Sequence, residues 1–255
     1  MFADERQQRI ADLVRRDGRV VVTTLAASLD VATETVRRDL ETLAGLGVVR
    51  RVHGGAVRAD DTSGREATVD QRSAENAEAK ARIAAAALSL LPGGRASVIL
   101  DAGTTTAQLA DQLPARTELV VVTNSVPIAG ALADRHPGEV HLLGGRLRHV
   151  TQATVGEAAA RHLETLRADA VFLGSDGLTI EHGLSTPDQS EASVKRAMRL
   201  AARTVVALVD SSKVGRELLY SFARLSDVDV LVTDRDVDVR TVAALEQTGI
   251  EVVIA

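Results

Sequence analysis

The sequence predicts an α/β protein in two parts: a small head of three helices and a hairpin, then a larger, open, mostly parallel sheet with helices on both faces. Three observations carry this. Residues 1–57 show helical apolar spacing closed by a β-branched run. Seven short β-branched runs then alternate with helical stretches, the pattern of parallel strands covered on both sides. Between them, residues 58–76 are polar, charged and poor in large apolar side chains, which reads as a linker. With 255 residues and 45% hydrophobic content, the chain can fill more than one core.

In order along the head, Ile10, Leu13 and Val14 recur at helical spacing up to Asp17-Gly18, where glycine can take the left-handed position after a helix. Thr23 or Thr24 is expected to cap a second helix with Leu25, Ala26 and Leu29 turned inward. Residues 30–32 make a tight turn, and Thr33 is expected to cap a third helix. On it Val36, Leu40 and Leu43 form one buried stripe, so Thr35, Arg37 and Arg38 fall largely off that stripe. Gly45 and Gly47 end it. Val48, Val49 and Val52, with Arg50 and Arg51 between, then read as β structure leaving through His53-Gly54-Gly55.

The larger part, 77–255, opens with an alanine-rich helix that runs to Leu91 and stops at Pro92-Gly93-Gly94. Its strand candidates are 97–100, 119–122, 140–143, 170–173, 205–209, 230–232 and 251–254.

Composition narrows the function. Without cysteine there is no disulfide, thiolate metal site or cysteine nucleophile. The histidines, His53, His136, His141, His149, His162 and His182, lack metal-ligand spacing, so no metal is expected. The longest apolar stretch, 83–91, falls far short of the ~20 residues that span a bilayer. Residues 1–6 carry acids and no apolar segment follows, so they do not read as a signal peptide, and a cytoplasmic location is expected. Aromatics, at 2%, leave little for stacking on single-stranded bases.

The net charge of -5 is unevenly divided. Residues 1–57 hold nine arginines against eight acids, about +1, so the remainder carries about -6. Arg37, Arg38, Arg50, Arg51 and Arg58 sit late in the head, facing only Asp39 and Glu41. That suits a small unit that docks on phosphates while an acidic body stays clear. A helix entering the major groove needs a short N-terminal turn, small polar residues for base edges, and arginines for phosphate or guanine. Thr33, Glu34, Thr35, Arg37 and Arg38 supply these. Alone, the segment reads equally well as a solvated helix face. The helix before it and the hairpin with Arg50, Arg51 and His53 favour a winged helix-turn-helix.

In the larger part, several strands end in small polar loops, where an open parallel sheet places its ligands. Asp101-Ala102-Gly103-Thr104-Thr105-Thr106 opens a helix whose N–H groups and hydroxyls can hold a phosphate dianion. By itself it reads equally as a capped turn. Recurrence favours a common site: Thr123-Asn124-Ser125, Gly144-Gly145, Ser175-Asp176-Gly177 and Asp210-Ser211-Ser212-Lys213 end other strands in the same way.

Residues 5–57 resemble the DNA-binding domain of the DeoR family of bacterial regulators. The resemblance rests on Glu5-Arg6-Gln7, Leu25-Ala26, Thr35-Val36-Arg37-Arg38-Asp39-Leu40, and Arg50 through His53-Gly54-Gly55-Ala56. Ala32 departs from it, since the family usually has a capping serine there. The pattern continues from Asp101-Ala102-Gly103-Thr104-Thr105 through Thr123-Asn124-Ser125 to Thr233-Asp234, similar to the DeoR sensor domain, whose fold is related to ribose-5-phosphate isomerase. The resemblance implies that residues 103–106 bind an effector phosphate while Asp176 and Lys213 face its sugar end; Lys213 reads alternatively as a solvated surface lysine.

It also raises an enzyme reading, in which Glu191, ahead of Lys195, matches the isomerase's acid-base glutamate and Asp176 and Lys213 its other polar groups. Gly183-Leu184-Ser185-Thr186 lacks that enzyme's glycine-rich segment, and an acid at a helix start serves equally as a dipole partner, so no catalytic residue is expected. Residues 1–7 most resemble actinobacterial regulators of fructose-uptake operons, which makes fructose 1-phosphate the first effector candidate. The expectation is a repressor of a sugar or polyol operon that binds double-stranded operator DNA as a homodimer or homotetramer. It needs no cofactor and answers to a phosphorylated sugar as allosteric effector.

Overall fold

The computed structural model describes residues 3–17, 19–46, 48–52, 54–58 and 66–255, and divides into two compact units, Met1–Glu66 and Ala67–Ala255.

In the first unit, α1 (Ala3–Asp17) is followed by a short strand, β1 (Arg19–Val21), then α2 (Val22–Leu29) and α3 (Thr33–Gly45). The hairpin strands β2 (Val49–Val52) and β3 (Gly55–Arg58) complete it, with β3 between β1 and β2 in an antiparallel sheet. The core is the one the spacing predicts: Ile10 and Val14 meet Leu25, Leu29, Val36, Leu40 and Leu43, all buried. Gly55 is dictated by close approach, because a Cβ there would lie 1.9 Å from the Val20 carbonyl oxygen.

Two cap assignments need correction. Neither Thr23 nor Thr24 caps α2, which begins at Val22 with Val21 in the cap position. The cause is β1: the chain is already held against β3, and the Val22 N–H donates to the Gly54 carbonyl at 2.8 Å. Thr33 is the first helical residue of α3 rather than its cap; Ala32 holds that place and has no side chain to accept a hydrogen bond. Asp30, in the left-handed conformation with φ 50°, makes the turn between the two helices.

The second unit begins inside the stretch read as linker. Residues of α4 (Val69–Ala74) form a short helix, closed by a reciprocal cap in which the Thr68 N–H donates to Gln71 Oε1 at 3.0 Å and the Gln71 N–H to Thr68 Oγ1 at 3.4 Å. The alanine-rich helix α5 (Ala77–Ala87) follows and tightens into a 3-10 turn over Leu88–Leu90.

Next come β4 (Ala96–Leu100), α6 (Thr104–Asp111), β5 (Leu119–Thr123), α7 (Val126–Ala133) and β6 (Val140–Leu142). A small antiparallel pair, β7 (Arg146–Arg148) and β8 (Ala153–Val155), leads to α8 (Glu157–Glu164) and β9 (Ala168–Gly174). The hairpin β10 (Gly177–Thr179) and β11 (Gly183–Thr186) precedes α9 (Gln189–Leu200) and β12 (Ala202–Leu208). The chain closes with β13 (Tyr220–Ala223), β14 (Val230–Thr233), α10 (Val239–Glu246) and β15 (Glu251–Ile254).

Each of the seven apolar runs is a strand of one parallel sheet, in the order β15-β14-β12-β9-β4-β5-β6. Alternate side chains feed two cores. Val98, Leu100, Val121 and Phe172 pack with Ile83, Leu109 and Leu132 of α5, α6 and α7. Ile99, Val122, Val171 and Leu173 face Leu163 of α8 and Val194 and Met198 of α9. After β4 the chain adds β5 and β6 on one side, then returns to lay β9, β12, β14 and β15 on the other. The switch point therefore lies between β4 and β9, where a crevice opens beyond the strand ends.

Candidate functional site

The crevice is an open cavity of about 490 Å³, counting the space continuous with solvent. Its floor is the loop after β4. Asp101 is buried, and its Oδ2 accepts the Gly174 N–H at 3.1 Å and the Lys195 ammonium. Lys195 also donates to the Gly174 carbonyl at 3.0 Å and stands 5.3 Å from the centre of the Phe222 ring. Ala102 donates its N–H to Asn124 Oδ1 at 2.9 Å. The Thr106 hydroxyl accepts from Gly103 N–H at 2.9 Å and donates to the Asp101 carbonyl at 2.6 Å.

The loop is thus held from below, leaving the N–H groups of Thr104, Thr105 and Thr106 and the hydroxyls of Thr104 and Thr105 without a partner among the described residues. These donors converge at the start of α6, where the helix dipole adds a partial positive charge.

Cations surround that point. Lys213, on the 3-10 turn after β12, lines the cavity half-buried, its ammonium with no hydrogen bond or ion pair among the described residues. Lys80 of α5 is buried, its ammonium donating to the Arg72 carbonyl. Burial pushes that ammonium below the ordinary lysine value, nearby Lys213 and Arg72 add to this, and Asp210 opposes it. Arg72 of α4 faces Asp176 with Nη1 at 3.5 Å from Oδ1. Burial would raise the Asp176 carboxyl, but the charges of Arg72, Lys195 and Lys213, with a 3.2 Å hydrogen bond from Thr186, hold it below the usual carboxylate range. The cavity therefore combines unspent donors and cations with an ionised carboxylate, Asp176 beside Arg72: a fit for a molecule that carries both a phosphate and hydroxyls.

Of the residues singled out by sequence, Gly103, Thr104, Thr105, Asp176, Glu191 and Lys213 line this cavity. The others do not. Asp101 and Thr106 support the floor from within. Thr123, Asn124 and Ser125 spend their polar groups internally: Thr123 Oγ1 accepts the Ser125 N–H at 3.0 Å, Asn124 bridges Ala102 and the Thr154 carbonyl, and Ser125 caps α7. Gly144 and Gly145 lie exposed before β7, where Gly145 lets the chain pass Val155; an added Cβ would meet the Val155 oxygen at 2.7 Å. Gly177 serves a similar purpose, with the Arg216 oxygen 2.5 Å from its would-be Cβ.

Sequence reasoning missed Arg72 and Lys80 as lining residues, named Lys195 only as a neighbour of Glu191, and included Ser175 and Asp210 in the loops of the common site. Arg72 falls in the presumed linker, and Lys80 lies in an alanine-rich helix with no motif around it. Only the strand order brings them here.

Glu191 is buried at the start of α9, and both carboxylate oxygens are occupied. Oε1 accepts from the Thr151 hydroxyl and from Arg148 Nη1 at 3.3 Å, and Oε2, 3.4 Å from the Thr186 hydroxyl, shares its single proton with Asp176. It is built as a structural acceptor, unlike a base waiting for a substrate proton.

In the first unit, α3 presents Thr33, Glu34, Arg37 and Arg38 to solvent and half-buries Thr35. Arg37 pairs loosely with Glu34 at 3.3 Å, both exposed. The less expected residue is Asp39, which is buried on α3 and takes a fork from Arg6, with Nε at 2.5 Å and Nη2 at 3.2 Å, plus Gln7 Nε2 at 3.0 Å. Arg6 and Gln7 thus lock α1 to the helix that carries the exposed arginines. His53 lies outside the described residues, as do the side chains of Arg50 and Arg51, whose backbone belongs to β2.

Residues 6–62 match the model of the DeoR-like helix-turn-helix domain, and residues 75–235 match that of the DeoR C terminal sensor domain. The chain is 39% identical over 254 residues to the HTH-type transcriptional regulator GlpR of Haloferax volcanii, covering 99% of this chain and 98% of that protein. It is 34% identical over 252 residues to a putative aga operon transcriptional repressor of Escherichia coli O157:H7, covering 98% and 93%. To an uncharacterized regulator, FruR, of Bacillus subtilis it is 36% identical over 236 residues, covering 92% and 93%. Among solved structures, ribose 5-phosphate isomerase A from Methanocaldococcus jannaschii aligns over 56% of this chain and 57% of its own, with a TM-score of 0.42 and 18% identity, too partial to bear on activity. Relatives of nearly equal length are regulators rather than enzymes, and both halves match the corresponding domain models; the chain belongs to the DeoR family of transcriptional regulators.

Proposed function

We propose that the chain is a cytoplasmic repressor of a sugar or polyol operon that grips double-stranded operator DNA through α3 and the wing, and whose grip is set by a phosphorylated sugar in the cavity between β4 and β9. The observation that carries this reading is the concentration of unspent donors at the start of α6, in one cavity with Lys213 and ionised Asp176. A phosphate dianion satisfies the N–H groups and threonine hydroxyls, and the carboxylate accepts hydrogen bonds from sugar hydroxyls. Fructose 1-phosphate is the first candidate, on the resemblance of residues 1–7. A relative from Haemophilus influenzae, named a glycerol-3-phosphate regulon repressor, points to a phosphorylated polyol as a second candidate.

Two copies of the head are needed to read two half-sites, so a homodimer or homotetramer is the working assembly. A ligand alters operator affinity only if it binds the DNA-competent and DNA-incompetent arrangements unequally. A thermal-shift panel of sugar phosphates tests the site: a member of the panel raises the melting temperature of the native chain, and Thr104→Ala combined with Thr105→Ala removes that rise without lowering the unliganded melting temperature by more than a few degrees. An unaltered rise in the double variant places the phosphate elsewhere.

A further inference from the structure

The first helix after the head, α4, is held to the second unit in part by residues that line the cavity. At six residues it is too short to hold its shape unaided, and none of its side chains is buried. Its anchors are polar. Val69 N–H donates to the Val150 carbonyl at 3.1 Å, Arg72 reaches Asp176, and the Lys80 ammonium takes the Arg72 carbonyl at its C-terminal end. Past that end, Asn76 turns the chain with φ 51° and donates to Asp210 at 3.1 Å. Arg72, Asp176, Lys80 and Asp210 all line the cavity. Whatever binds there acts on the anchors of the segment that continues into the DNA-reading unit.

We infer that Arg72 is the residue through which the occupied cavity controls α4: a bound phosphate bridges Arg72 and Lys80 and pins the helix. This rests on the effector site proposed above. The sign follows from charge. Arg72, Lys80 and Lys213 line one space, where Arg72 and Lys213 both disfavour the charge on Lys80, and Asp176 faces Arg72 at 3.5 Å. A dianion placed among the three cations relieves their repulsion and gives the Arg72 fork a further acceptor. Both effects favour docked over loosened α4, which is the differential interaction that coupling requires. Arg72 is thus a positioning residue as well as a ligand contact.

Hydrogen exchange read by mass spectrometry on the full chain tests this, with fructose 1-phosphate and, separately, concentrated inorganic phosphate as probes. Either probe is expected to slow exchange at residues 104–107 and, by about tenfold, the size typical of coupled sites, at residues 72–76. In Arg72→Gln the slowing at 104–107 persists and that at 72–76 is lost, whereas Ser73→Ala, an exposed change on the same helix, keeps both. Slowing at 104–107 with 72–76 unchanged in the native chain overturns the inference and leaves the site standing. An Arg72→Gln variant that responds at α4 like the native chain overturns it too. No slowing at 104–107 with either probe overturns the site and the inference together.

Discussion

Asp39 and Arg37 stand two residues apart on one helix and mark opposite uses of charge. Arg37 and Glu34 pair in full solvent, where such a contact stabilises by well under about 1 kcal/mol, so Arg37 can readily serve another partner. Asp39 is buried and holds three donors from Arg6 and Gln7, and its loss strands a guanidinium inside the head. Asp39→Ala should therefore lower the stability of the head by about 2 kcal/mol, measurable by chemical denaturation of the full chain; a change below about 0.5 kcal/mol would show the fork to be dispensable. In the cavity, the signs of the shifts set a pH profile. Asp176, held below the usual carboxylate range, contributes stability above its ordinary pKa and loses it as pH falls through its depressed value, so it stays ionised near neutrality. Lys80, lowered by burial, gives up its proton at a lower pH than an exposed lysine does. A sugar phosphate gains its second negative charge near about pH 6. Calorimetric affinity should thus climb from roughly pH 5 to 7 as the dianion forms, then decline before the ordinary lysine range. A flat acidic limb contradicts recognition of the dianion.

Element by element, legibility followed how much of an element's reason lay within its own sequence. The stripe Val36, Leu40, Leu43 and the seven apolar runs were readable because periodicity records which faces are buried. β1 was not: three residues before a helix become a strand only because β3 is there to pair with them. The hairpin of β10 and β11 was hidden for a similar reason, since Gly183 turns with φ 73° where an added Cβ would lie 2.1 Å from the Ala223 oxygen, an approach made across the fold. The loops Gly103 to Thr106 and Thr123 to Ser125 look alike in composition, yet only one keeps its donors. The Thr123 hydroxyl and the Thr154 carbonyl consume those of the second, and β5 lies on the far side of the switch point. For α3, the exposed arginines make a direct expectation: Arg37→Ala or Arg38→Ala weakens operator binding with little change in melting temperature, and lowers the salt dependence of binding by about one counterion for each phosphate contact removed. Unchanged gel-shift affinity in both variants removes α3 from the DNA interface.

At the scale of the whole molecule, charge and topology divide the labour. The head carries a slight positive excess and the larger unit the acidic balance, so the attraction to DNA is local to the part that reads it. The larger unit keeps a family sheet whose switch point holds a polar cavity, while the glutamate that would be needed for turnover is fully engaged by Arg148, Thr151 and Thr186. In the proposed function the two are linked by a metabolite's power to change operator affinity, and one titration tests it most directly. Full-length chain is bound to the DNA upstream of its own operon, with and without saturating fructose 1-phosphate and the other members of the sugar-phosphate panel, for the native sequence and for Thr104→Ala with Thr105→Ala. The expected result is a shift of about tenfold or more in the native chain with one phosphorylated sugar, and equal operator affinity with no shift in the double variant. A native chain indifferent to every phosphorylated sugar, or a double variant that shifts as the native chain does, contradicts the account.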